Sequence, residues 1–136
     1  MPREYEASWW AIELPPGWNA ENEEDCVNFS AEHGVGALQI SAYRHDGEPI
    51  TDDDLNDFAE DELIDGTTPE DVSYGDFGGI AISYVEADRF WRKLWLRSGS
   101  LLLYVTYNCV AEDQAAEVES VNRMLSSLKS KINGEA

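Results

Sequence analysis

Histidine and cysteine, the side chains that most often hold metals or act as nucleophiles, number only two each in this 136-residue chain. His33 and His45 have no second His or Cys at zinc spacing. Each adjoins a carboxylate in sequence, Glu32 and Asp46, but adjacency along a chain is not a catalytic dyad. No serine has a nucleophile-elbow context and no glycine loop of the phosphate-cradling kind is present. Cys26 and Cys109 fall in strand-like segments, and Glu23, Glu24 and Asp25 disfavour a thiolate at Cys26. Two buried structural thiols in a reducing compartment are the expectation. No apolar run approaches the roughly 18 residues of a membrane span. The opening "MPREYEASWW" lacks the apolar core of a signal peptide, so a cytoplasmic setting is expected.

Positive charge is scarce as well. Nine Lys and Arg stand against 28 Asp and Glu, a formal net charge of −19. Between Arg44 and Arg89 there is no basic residue, while positions 45 to 88 hold 15 of the carboxylates. A surface of that sign repels nucleic acid and anionic membranes and steers basic proteins or cations toward itself. Among so many carboxylates no pair singles itself out as general acid and base. These absences predict a non-enzymatic protein with no cofactor.

What is present is a core. Hydrophobic residues make up 43% of the chain, including five Trp, six Tyr and four Phe. At this length one domain spanning residues 1–136, ordered over about 8–130, can bury roughly 68% of its unfolded surface. "SWWAIEL" alternates with period two and reads as a strand, stopped by "PPGW". "NAENEED" reads as an acidic loop, and residues 26–44 as an antiparallel hairpin turning at Gly34 and Gly36. "TDDDLNDFAEDELI" opens with Thr51 at a cap and an acidic residue three places on. Its stripe Leu55, Phe58, Ala59 and Leu63 predicts a helix with an anionic outer face, closed by Gly66. "DDDLNDF" also resembles the start of a calcium loop, but Asp57 replaces the needed glycine and Leu63 the needed glutamate, so a cap accounts for it better.

From Val72 onward four strands are expected as a meander, with a turn at Gly78-Gly79 and another after Ser98. A last helix, capped by Asp113, presents Val118, Val121, Leu125 and Leu128 as its buried stripe, with Lys129 and Lys131 near its end. The prediction is an α+β single domain, an antiparallel sheet of six to seven strands with two helices. This arrangement resembles the PsbP-like fold. The likeness is carried by "IELPPGW", the hairpin to "GALQISAYR", the connecting helix, "YGDFGGIAISY" and the closing helix. The resemblance implies an α/β/α sandwich whose members mostly bind other proteins. It carries over no functional residue.

"DRFWRKLWLRSGS" holds four of the nine basic residues and two of the tryptophans. Alternation puts Arg89, Trp91, Lys93, Trp95 and Arg97 on one face and Phe90, Arg92, Leu94 and Leu96 on the other. A two-residue turn at Ser98-Gly99 adds Leu102, Tyr104, Thr106 and Asn108 to the cationic face, and a three-residue turn swaps the sets. That face is expected either to pack beneath an acid-bearing helix or to be an exposed Trp/Arg interface. The candidate partner-binding residues are thus Asp53, Asp57, Glu60 and Asp61 on the helix and Trp91, Lys93 and Trp95 on the strand. The leading expectation is a protein-binding domain for a basic partner. One version is an immunity or antitoxin protein neutralising a basic toxin; the alternative is a homo-oligomer with a Trp-rich interface.

Overall fold

The computed structural model describes residues 3–32, 34–45, 48–60 and 68–131. Its strands are β1 (Arg3–Glu6), β2 (Trp10–Leu14), β3 (Trp18–Asn22), β4 (Val27–Ala31), β5 (Gly36–Arg44), β6 (Glu70–Tyr74), β7 (Phe77–Glu86), β8 (Arg89–Ser98), β9 (Leu101–Val110) and β10 (Lys129–Ser130). Its helices are α1 (Asp52–Glu60) and α2 (Val118–Ser126). The period-two segments pair antiparallel into a seven-stranded sheet of order β3-β4-β5-β9-β8-β7-β6, and β1-β2-β10 form a second sheet of three strands. The α+β prediction and the seven-strand upper count both hold.

The two faces of the large sheet carry separate cores. On one, Leu94, Leu96, Leu103 and Val105 pack with Trp10, Ile12 and Leu14 of β2 and with Val121, Met124 and Leu125 of α2. On the other, Ile80, Ile82, Trp95 and Leu102 pack with Leu55 and Ala59 of α1 and with Ile50. The run "LLLYV" is covered on both sides, which is why it lacks polar alternation. The two-residue turn between β8 and β9 falls one residue later than expected, at Gly99-Ser100, with Ser98 opposite Leu101, a shift that keeps the same residues on each face. The pairs Trp91–Asn108, Lys93–Thr106, Trp95–Tyr104 and Arg97–Leu102 therefore share one face, as the two-residue alternative requires.

Several elements depart from expectation, each for an identifiable reason. The first half of "NAENEED" is β3, an edge strand that buries Trp18 and leaves Asn19 and Glu21 exposed. Edge strands tolerate such polarity. The turn before β7 lies at Gly75-Asp76 instead of Gly78-Gly79. Gly75 has φ +58° and sits so close to the Leu128 carbonyl that a Cβ would lie 2.1 Å from its oxygen. Gly79 lies inside β7, where a Cβ would meet the Trp95 carbonyl oxygen at 1.9 Å. The last helix begins at Val118, since Asp113 ends a 3₁₀ turn, Ala111–Asp113, and Val118 is exposed while Met124 is buried. Lys129 and Lys131 follow the helix and reach β1 instead, ending 3.4 Å from Glu4 and 3.2 Å from Glu6.

Candidate functional site

The helix start works as the sequence proposes. The Thr51 amide donates to Asp54 Oδ2 at 2.9 Å, and the Asp54 amide donates to Thr51 Oγ1 at 3.1 Å. This reciprocal box satisfies two otherwise orphaned backbone donors. The Thr51 backbone hydrogen bond is the largest influence holding the Asp54 carboxyl below its ordinary value, with the Thr51 hydroxyl and the charge of His45 adding to it. Three aspartates, Asp52, Asp53 and Asp54, fill the first turn, and the last turn carries no basic residue.

About 100° of rotation per residue sorts the rest of α1. Leu55 and Ala59 point into the sheet and are buried. Asp53 and Asp57 stand opposite them, and with Glu60 all three are exposed. Asp61 lies outside the described residues. Phe58, expected in the buried stripe, is instead 44% exposed on one flank and stacks on Tyr43 of β5, itself 53% exposed. The rings are 6.4 Å apart and inclined by 20°. Sequence reasoning missed this pair because Phe58 sits at a core spacing and Tyr43 at the end of an alternating strand.

The cationic strand face is divided. Trp95 is 2% exposed, its ring 5.5 Å from that of Tyr104, and it belongs to the core under α1. It therefore offers no surface to a partner, a correction to the expected interface residue that follows from the helix lying over this end of the sheet. Trp91 is only half-buried, and the Lys93 ammonium lies 5.4 Å from its ring and 5.5 Å from that of Tyr84. Arg97 donates to the Ile50 carbonyl at 2.8 Å and to Asp52 Oδ1, tying the strand to the helix start. Arg89 donates to Asn108 Oδ1 at 2.6 Å. Arg92, the polar member of the opposite face, donates to the Tyr74 hydroxyl at 2.6 Å. Most of the ribbon thus serves internal packing, as one of its two expected readings had it.

Beside α1, on the flank away from Phe58, a cleft of about 630 Å³ is lined by Asp52, Leu55 and Asn56, by Arg97 and Gly99, and by Asp71, Gly78, Gly79 and Ile80. Among the described residues it carries two carboxylates and one guanidinium. The volume falls within the range of small-ligand sites. His45 is not among its lining residues. The His45 amide instead donates to the Ser100 carbonyl at 2.9 Å, while His33 and Asp46 lie outside the described residues.

Two other titratable groups stand apart from this region. Glu117 is buried and accepts hydrogen bonds from the Tyr107 hydroxyl at 2.6 Å and from the Gly36 and Val35 amides at 3.1 and 3.3 Å. Its function is to anchor the β4–β5 loop to the start of α2. Cys109 is buried as expected, whereas Cys26, just before β4, is only half-buried; its thiol is held above the ordinary value, first by partial burial and then by its hydrogen bond to Glu23. Among the described residues no group of three or more His, Cys, Asp and Glu is arranged to hold a metal ion. No described helix is long and apolar enough to cross a membrane.

An antiparallel sheet lies between α1 on one side and α2 with a small sheet on the other, and solved structures share this arrangement. A crystal structure from Bacteroides thetaiotaomicron VPI-5482 matches 96% of this chain with TM-score 0.70 at 14% identity. The matched region is 49% of that protein, so the chain spans about half its length. LpqN of Mycobacterium tuberculosis, a protein involved in cell envelope biogenesis, matches with TM-score 0.57 at 12% identity over 95% of this chain and 91% of its own. Cyanobacterial PsbP (CyanoP) of Synechocystis sp. PCC 6803 aligns over 95% of this chain and 92% of its own, with TM-score 0.42 and 14% identity. At such identities the first two likenesses show a shared fold alone. No protein-family model and no curated protein matches the chain.

Proposed function

We propose that this chain is a non-enzymatic binding domain that engages a basic protein through the outward face of α1. The observation that carries the reading is the division of that helix. Two side chains fix it to the sheet, and Asp53, Asp57 and Glu60 are left to solvent. A helix needs no such unrelieved charge for its own stability, since like charges at neighbouring turns oppose it. The exposed Tyr43–Phe58 pair supplies what charge alone lacks, an apolar contact on which arginine stems can lie. Steering by the net charge sets the rate of encounter, and the aromatic pair contributes to residence. A basic nuclease toxin is one partner of this description.

The test is capture from native lysate on immobilised protein, washed at about 0.1 M and about 0.5 M salt, where screening lengths differ about twofold. The expected result is a basic protein retained at the lower salt and released at the higher. The triple variant Asp53→Asn, Asp57→Asn, Glu60→Gln, shown to be folded by circular dichroism, should fail to retain it. Equal retention by the variant would remove α1 as the binding face.

A further inference from the structure

Nothing among the described residues requires glycine at position 78. Gly78 lies inside β7 in unbroken register, opposite Arg97, and not at a bulge or turn. Its backbone is not in the left-handed region, and among the described residues an added Cβ would meet nothing closer than the Val72 carbonyl oxygen at 3.7 Å, an ordinary contact. Glycine within a strand weakens it, and its usual excuses are a bulge, a bend or the close approach of another group. Gly79 has such an excuse in the Trp95 carbonyl; Gly78 does not. What a side chain at Gly78 would occupy is the cleft, on the same face of β7 as Ile80.

We infer that this cleft receives an arginine side chain presented by the partner, an inference that rests on the basic-protein reading above. The charge of the lining decides the sign of its occupant. Among the described lining residues Asp52 and Asp71 contribute two negative charges and Arg97 one positive, leaving negative charge in excess. Arg97 is already committed to Asp52 and the Ile50 carbonyl, whereas the Asp71 side chain makes no hydrogen bond or ion pair among the described residues. An entering anion would face two carboxylates. A cation suits the site. Guanidinium fits better than ammonium, because its planar face can lie on the bare backbone of Gly78 and Gly79 while its fork reaches a carboxylate. Leu55 and Ile80 supply an apolar wall for the methylene stem.

The experiment uses the full chain, labelled with ¹⁵N, titrated with acetyl-Gly-Arg-Gly-amide at about 0.1 M salt, with acetyl-Gly-Glu-Gly-amide as control. Saturable shifts centred on the amides of Gly78, Gly79 and Gly99 are expected for the arginine peptide only. Gly78→Val suits a strand, fills the cleft and should fold; its affinity should fall by about tenfold or more, a loss of at least one decade in Kd. Asp71→Asn should weaken binding several-fold without moving the melting temperature appreciably. Shifts spread over the acidic surface and unchanged in Gly78→Val would overturn the inference, as would no saturable shift. The triple variant of α1 should keep the peptide response. A cleft that binds the peptide in a protein that captures no partner would leave this site standing and remove the basic-protein reading, and a silent cleft in a protein that still captures its partner would do the reverse.

Discussion

A carboxylate taken out of water must be given donors, and Glu117 shows what that requires of its neighbours. It is 8% exposed and receives one phenolic and two amide hydrogens. Burial, and then the Glu117 carboxylate, push the Tyr107 hydroxyl well above its ordinary value. A tyrosine whose folded value is raised contributes stability that is whole below its unfolded value, about 10, and is lost as pH rises beyond it. The protein should accordingly unfold at progressively lower urea as pH climbs past about 10. Tyr107→Phe should lose about 1–3 kcal/mol at pH 7, because the carboxylate keeps its burial with one donor fewer. It should also lack the part of the alkaline decline that Tyr107 supplies. Urea midpoints of the two proteins at neutral and alkaline pH make the comparison, and parallel declines would show that another group governs it. At Cys26 the same reasoning concerns reactivity: burial and Glu23 disfavour the thiolate, so alkylation by iodoacetamide at mildly alkaline pH should be slower than for free cysteine. Glu23→Gln should speed it, and an unchanged rate would leave burial and the Asp25 charge as the causes.

At the scale of the element, α1 and β8 depend on each other. Trp95 fills the space between them, and Trp91, on the same strand face but half-buried, does not. Trp95→Ala should cost about 3–5 kcal/mol by leaving a cavity, and Trp91→Ala well under half as much. Chemical denaturation of both variants decides it; equal losses would mean that the two tryptophans share one environment. The alternation of β8 was readable because a period of two survives any choice of neighbour, and so were the capping box at Thr51 and the face assignment that followed from the turn length. What covers each face was not readable, because cover comes from elements distant in sequence. Trp95 and Trp91 look alike in the chain and differ only in where α1 lies. Phe58 was misread for the same reason, a core spacing at the edge of a helix too narrow to bury it. The strands β1 and β10 escaped notice because four and two residues carry too little pattern, and they exist through pairing with β2. The cleft left no sequence signal beyond the Gly78-Gly79 pair, which reads equally well as a turn.

For the whole molecule, the balance of charge sets how salt acts on stability, and two opposed contributions must be compared. Attractive pairs such as Arg97–Asp52, Lys129–Glu4 and Lys131–Glu6 lie at the surface, where each contributes only about 0–1 kcal/mol and weakens with salt. Repulsion among 28 carboxylates opposed by nine cations acts over longer distances. At about 0.01 M salt the screening length is roughly 30 Å, long enough for charges on opposite sides of a small domain to interact, and by about 1 M it is roughly 3 Å. Folding brings these charges together, so screening relieves the compact state more than the expanded one. Nine basic residues cannot pair with more than a third of the acidic ones, and repulsion therefore outweighs attraction. The melting temperature should rise steadily with sodium chloride from about 0.01 M to about 0.5 M, most steeply at the low end where the screening length changes most. The triple α1 variant, with three fewer negative charges, should start from a higher melting temperature at low salt and gain less from added salt. A wild-type melting temperature that falls with salt would mean that the ion pairs at α1, β1 and β10 hold the molecule together more strongly than its net charge strains it. In that case the acidic face would be anchored by the fold, and the case for its being kept for a partner would lose its thermodynamic support.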